Sequence, residues 1–206
     1  MLYVTLSSSQ MRTQERGAPA QQIQAGDDPA TAARGRATPG GGAGSAAPAG
    51  RAGGAARGGG GRGGGSPRAT STTSYVERPV VHVIENVGTA LVRAVVVVNE
   101  TRGDTTTSES QAGFAGTPEL TNGWFRAYRL TLPPGQRSGT HRHRAPVVLV
   151  QATGGKGVGN GAMSFEFNDP GAWAFYDANA EHEVHNTGTG SLELIEVEIR
   201  RPLSPE

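Results

Sequence analysis

Gly135-Gln-Arg-Ser-Gly-Thr-His141-Arg-His143, with Gly171 and His182-Glu-Val-His-Asn186 further along the chain, is the stretch whose chemistry can be read directly. Successive side chains of a β-strand alternate faces, so His141 and His143 point one way and Arg142 the other. Two imidazoles on one face make a chelating pair. A third on a neighbouring strand would complete a site with open positions, as a first-row transition metal needs in order to take a substrate or dioxygen. His182 is the candidate, because it shares a phase with Val184 and Asn186, whereas Glu183 and His185 point outward.

The spacing resembles the two motifs of the cupin superfamily. The first motif is glycine, five residues, His-x-His, three or four residues, glutamate, six residues, glycine; Gly135, His141, His143 and Gly154 fit it. The glutamate position falls on Val147 or Val148, so the expected carboxylate is missing. The second motif is matched by Gly171, His182 and Asn186, with Asp177 and Asn179 in place of the usual proline and glycine. Both replacements are turn formers, and asparagine tolerates the left-handed backbone. The resemblance covers residues 120–200. It implies an all-β chain of cupin type, a double-stranded β-helix or jelly-roll barrel, holding a divalent transition metal on His141, His143 and His182. Zinc, iron, manganese, nickel and copper are not distinguished. Such a neutral shell would leave the ion its full double charge, and Val147→Glu would be expected to strengthen binding. Val147, Leu149 and Gln151 share one strand phase and are expected to line the pocket. Gln151 would serve there as a polar contact or as core filler bonded to backbone.

A repeat at an offset of 100 residues extends the reading: His82-Val-Ile-Glu-Asn86-Val-Gly88-Thr89 aligns with His182-Glu-Val-His-Asn186-Thr-Gly188-Thr189, and an apolar run follows each. Two copies of the second motif imply two units. The first copy has no His-x-His, since the five histidines are His82, His141, His143, His182 and His185. His82 is therefore expected to mark the repeat and bind nothing. Residues 1–6 read as a strand like 147–151, residues 10–14 as the next, and residues 22–27 as a strand and turn. Residues 1–28 and 73–100 are thus a partial N-terminal unit, 101–117 a linker and 118–202 the complete C-terminal domain. The first unit stands without its own metal motif, so the expectation is a start that is misplaced or truncated, with a degenerate remnant as the alternative.

Residues 29–72 form a low-complexity insertion rich in Gly, Ala, Arg and Pro, too poor in apolar residues to offset its ordering entropy, and it is expected to be disordered. Its Arg-Gly run lacks the aromatic residues that would stack on bases, so no nucleic acid is expected. The chain has 206 residues, a formal net charge of +1 and no cysteine, which excludes disulfides and thiolate metal sites. No apolar run approaches the roughly 20 residues of a membrane span, and the start lacks a basic leader. The expectation is a cytoplasmic protein as written, or an exported one if a signal peptide lies upstream.

In the C-terminal half, β-rich runs at 124–132, 146–153, 162–168, 172–176, 182–186 and 191–199 are separated by Gly/Pro turns. In the last run Leu192 and Leu194 share one phase while Ile195, Val197 and Ile199 share the other, which predicts a bulge or a strand buried on both faces. The catalytic residues are not legible. The expected function is a metal-dependent enzyme of dioxygenase or isomerase class acting on a small oxygenated or acidic metabolite. The alternative is a non-catalytic binding or sensing barrel that has lost its metal. A small-molecule ligand is the expected partner, and a homodimer is left open.

Overall fold

The computed structural model describes residues 1–24 apart from 8, 16 and 18, together with 68–71, 82–101 and 116–200. Most of the insertion and of the linker lies outside the described residues. Six strands belong to the N-terminal part: β1 (Leu2–Thr5), β2 (Gln10–Glu15), β3 (Gln21–Gln24), β4 (Arg68–Ser71), β5 (His82–Asn86) and β6 (Ala94–Val97). Nine follow: β7 (Leu120–Thr121), β8 (Phe125–Leu132), β9 (His141–Arg142), β10 (Val147–Gln151), β11 (Gly157–Asn160), β12 (Phe165–Phe167), β13 (Trp173–Tyr176), β14 (Glu181–Asn186) and β15 (Leu192–Ile199). Among the described residues there is no helix, and so none that could cross a membrane.

The nine C-terminal strands form two antiparallel sheets, ordered β13-β10-β15-β8-β7 and β12-β11-β14-β9. Period-two alternation sends Leu130, Leu132, Val147, Leu149, Tyr176, Val184, Leu192 and Leu194 into a common core between the sheets, joined by Phe167 and Ala174. This is a jelly-roll barrel. The strand β15 is buried on both faces without a bulge, because Ile195 and Val197 enter a second core. That core lies on the outer face of the five-stranded sheet, where Phe125, Ala127, Val148 and Val150 meet Leu2, Val4 and Val97 from β1 and β6. Burying these side chains fixes the N-terminal unit against the barrel.

The N-terminal strands repeat the C-terminal register. Pairing of β1 with β6 matches Leu2 to Val97 and Val4 to Val95, as pairing of β10 with β15 matches Val148 to Val197 and Val150 to Ile195. Likewise Met11 pairs with Asn86 as Gly157 pairs with Asn186. Asn86 accepts from the Gly88 amide and donates to the Ala90 carbonyl, and Asn186 makes the same two bonds to Gly188 and Gly190. Two expectations change at the edges. Arg68–Ser71, placed by composition at the end of the 29–72 insertion, pair with β1 as β4; a row of open backbone groups on β1 outweighs weak local propensity. The run read at 162–168 narrows to β12, and Met163, on the same phase as Phe165 and Phe167, is exposed ahead of it.

Candidate metal centre

His141 and His143 flank Arg142 on and after β9, and the register of β9 with β14 sets His141 directly opposite His182. Asn179 adopts a left-handed φ of 64°, as the turn chemistry requires where glycine is usual. Its amide donates to the His143 carbonyl at 2.7 Å, which ties the second motif's turn to the first motif's histidine. Asn186 bonds only backbone partners, Leu132 and Gly190 through its amide nitrogen, and holds the turn that follows β14.

The three imidazoles converge inside the barrel, with ring centroids 4.3 Å apart for His141 and His182 and 5.3 Å for the other two pairs. Each ring's Nδ1 faces an acceptor: the Gly139 carbonyl at 3.0 Å for His141, the Ala180 carbonyl at 3.4 Å for His182, and the Glu198 carboxylate at 2.9 Å for His143. Acceptors of this kind hold the proton on Nδ1 and leave Nε2 facing inward.

A fourth group stands among them. Glu196 is fully buried, with Oε2 3.3 Å from His141 Nε2 and 3.2 Å from His143 Nε2. Donor atoms of His141, His143, His182 and Glu196 all lie within 4.8 Å of one another, a group that could hold a metal ion. Bonds of about 2.1 Å put ligand atoms ~3.0 Å apart at right angles and ~3.4 Å apart in a tetrahedron, so the closest separations suit a shared ion. His143 Nε2, His182 Nε2 and Glu196 Oε1 are buried without hydrogen-bond partners. The 3.2 Å contact of His143 with Glu196 is near enough for an ion pair but not aligned as a hydrogen bond. Buried polar atoms left this way are costly unless something satisfies them together. The residues present therefore fit a divalent ion.

This replaces the expectation of a neutral shell. The missing glutamate of the first motif is not restored at Val147, which is apolar core, but a carboxylate arrives from the next strand: β10 and β15 pair Leu149 with Glu196 and Val147 with Glu198. The motif spacing points only to the strand that follows His143, whereas Glu196 lies on β15. The signal was present in the phase, since Glu196 and Glu198 alternate with Ile195 and Val197 and share the inward face of Leu192 and Leu194. Leu149 and Val147 lie in the core beneath the site. Gln151 is fully buried and donates to the Thr153 and Gly155 carbonyls, the core-filler role. His185 sits on the outward phase, bridged to Arg137, and Glu183 beside it pairs with the same arginine. The side chain of His82 lies outside the described residues.

Electrostatics separate the four groups. Burial would depress His143, but Glu196 and Glu198 outweigh it and raise it to about 9. Burial likewise opposes charging of His141, and Glu196 turns the net direction upward. For His182 burial dominates, reinforced by the neighbouring imidazoles, and lowers it to about 4. Burial alone would raise Glu196, yet His141 and His143 hold it down at about 2. Without metal the site at neutral pH thus holds an ionised Glu196, a protonated His143 and a neutral His182. Tyr176 stacks on His182 at 4.4 Å, its hydroxyl pushed up to about 12 by burial and by Glu196.

No protein-family model matches the chain, and no curated protein matches it. Among solved structures it is similar to a cupin domain from Bordetella pertussis Tohama I, at 23% identity over 45% of this chain and 99% of that one, TM-score 0.36. It is also similar to a protein described as a predicted oxalate decarboxylase from Thermotoga maritima, at 28% identity over 36% and 65%, TM-score 0.33. A third is a double-stranded β-helix domain protein from Klebsiella pneumoniae, at 14% identity over 46% and 80%, TM-score 0.37. The two sheets and their strand order make the C-terminal barrel a double-stranded β-helix, and its seven motif positions are those that resemble the cupin superfamily.

Proposed function

We propose that this cupin-type barrel binds one divalent transition-metal ion on His141, His143, His182 and Glu196 and acts there on a small acidic or oxygenated metabolite, as an enzyme of dioxygenase or isomerase class. The observation that carries the reading is the convergence of three inward Nε2 atoms and one carboxylate, two of the imidazole nitrogens and one carboxylate oxygen buried without partners. The bound ion would supply Lewis acidity toward a carbonyl or carboxylate oxygen. Three neutral imidazoles and one carboxylate leave a divalent ion with a single net positive charge, which favours an anionic ligand in any remaining position. Tyr176, whose buried hydroxyl lacks a hydrogen-bond partner, is the neighbouring group suited to orient such a ligand.

The second reading, a binding or sensing barrel without turnover, is favoured by burial, since none of the four ligand side chains is more than 2% exposed. Protein purified without chelator should carry close to one ion per chain by elemental analysis, and the His141→Ala, His143→Ala double variant should carry none. Turnover of a panel of small keto and hydroxy acids, followed by dioxygen uptake and product analysis, separates the two readings. Metal retention with no conversion of any acid would leave binding alone. A metal-free wild type that also refuses added cobalt, nickel, zinc, manganese and iron would sink both metal readings.

A further inference from the structure

Two of the inward-facing histidines are oriented by backbone: His141 and His182 give Nδ1 to the carbonyls of residues two positions earlier. His143 differs. Its Nδ1 meets a side chain, Glu198 Oε1 at 2.9 Å, with the histidine side chain fully buried and Glu198 5% exposed. The other Glu198 oxygen, Oε2, lies 3.6 Å from Arg126 Nη1, whose side chain is 6% exposed. Arg126 and Glu198 are register partners across β8 and β15, so the pair is set by strand alignment rather than by a flexible reach. On the other side of β15, Glu198 is paired in register with Val147, which offers it no hydrogen bond from its side chain. A carboxylate backed by a guanidinium in strand register is a fixed acceptor, and a carboxylate accepts a hydrogen bond more strongly than a carbonyl does.

We propose that Glu198 is a positioning residue for the metal centre: with Arg126 as its fixed counter-ion, it holds the proton of His143 on Nδ1 and turns Nε2 toward the ion. This rests on the metal reading for its consequence but not for its geometry. An outer carboxylate of this kind fixes ring orientation and increases ligand basicity, and losing one lowers metal affinity by about 10- to 100-fold. The strand β15 would then supply both a ligand, Glu196, and the group that aims a second ligand, two residues apart on the same face.

The test compares Glu198→Gln, Glu198→Ala and the double variant Arg126→Leu, Glu198→Leu, which removes the buried pair together and leaves no lone charge if the single alanine variant fails to fold. Cobalt affinity is measured by chelator competition and the ligand field by visible absorption. Glu198→Ala, or the double variant, should bind cobalt about 10- to 100-fold more weakly with shifted absorption bands. Glu198→Gln, which still accepts from Nδ1, should recover the wild-type spectrum and part of the affinity. Glu193→Ala, on the outward face of β15, should change neither. A metal-independent arm reads the His143 ring by nitrogen NMR in metal-free protein at pH 10: the Nδ1–H tautomer in wild type and Glu198→Gln, and loss of that preference in the double variant. Wild-type affinity, spectrum and tautomer in folded carboxylate-free variants would overturn the proposal. Should the wild type bind no metal, the reading of the centre fails, and the tautomer arm alone still decides whether Glu198 positions His143.

Discussion

Metal binding to this barrel should be strongly pH-dependent on the alkaline side of neutrality, where three ordinary histidines would show no dependence. An unperturbed imidazole, with a pKa near 6.5, is already neutral at pH 8. His143 is held at about 9 by Glu196 and Glu198, so in metal-free protein it is protonated at pH 7 and 8, and an ion must displace that proton. Competition by one proton weakens apparent affinity tenfold per pH unit. Relative to the alkaline plateau the loss at pH 7 is therefore about 100-fold, or ~2.7 kcal/mol, with His141, also raised, able only to steepen it. His182 does not contribute in this range, because it is neutral until about pH 4. Titration calorimetry with cobalt at pH 7.5, in buffers of differing ionisation enthalpy, should report release of about one proton per ion. Chelator competition should give a slope of at least one below about pH 8 that bends near pH 9 and levels off above. In Glu196→Gln one of the two carboxylates holding His143 is lost, so the break should move to lower pH while overall affinity falls. Affinity flat across pH 7 to 9, with no proton released, would refute the placement of His143 between two carboxylates.

Stability of the metal-free protein should pass through a maximum near pH 6.5. The proton on His143 is bound more tightly when folded, so its contribution is complete below pH 6.5 and is lost as pH rises through 9, a change of roughly 3 kcal/mol. His182 works in the opposite sense, losing stability as pH falls from 6.5 toward 4. Thermal melts in chelator should show both limbs, and saturating metal should remove the alkaline one; a monotonic profile would contradict the assignment. Gly155→Ala should destabilise the barrel by about 1–3 kcal/mol in urea without altering metal stoichiometry, because φ is +108° and a Cβ would lie 2.8 Å from the Ser191 carbonyl. Val147→Glu, expected from motif spacing to strengthen binding, should instead destabilise by about 3 kcal/mol or more, since the new carboxylate would face Glu198 across β10 and β15 in a dry core. Wild-type stability with higher affinity would restore the original expectation.

The alternation of His141 with Arg142, and of His182 with Glu183, was enough to place three imidazoles on one inner surface, because a strand's period of two is fixed by its backbone. Turn chemistry was equally local, and Asn179 takes the left-handed conformation its motif position demands. Glu196 was not local. Its nearness to His141 depends on which strand lies beside β10 and in what register, and neither is written in the residues of β15 alone. What those residues did show is that both faces are apolar at Leu192, Leu194, Ile195 and Val197, so Glu196 and Glu198, on the phase of Leu192 and Leu194, had to be buried and had to find partners. The repeat differs at the same positions, so one unit carries the candidate centre and the other supports it. At the offset of 100 residues Val96 and Val98 stand where Glu196 and Glu198 stand, so the corresponding phase carries no carboxylate, and both valines are exposed. Its opposite phase, through Val97 with Leu2 and Val4 of β1, instead covers the outer face of β15. The N-terminal unit thus buries the back of the strand whose front carries the candidate ligand Glu196 and its companion Glu198, and the register that brings these two carboxylates to His141 and His143 is held from both sides.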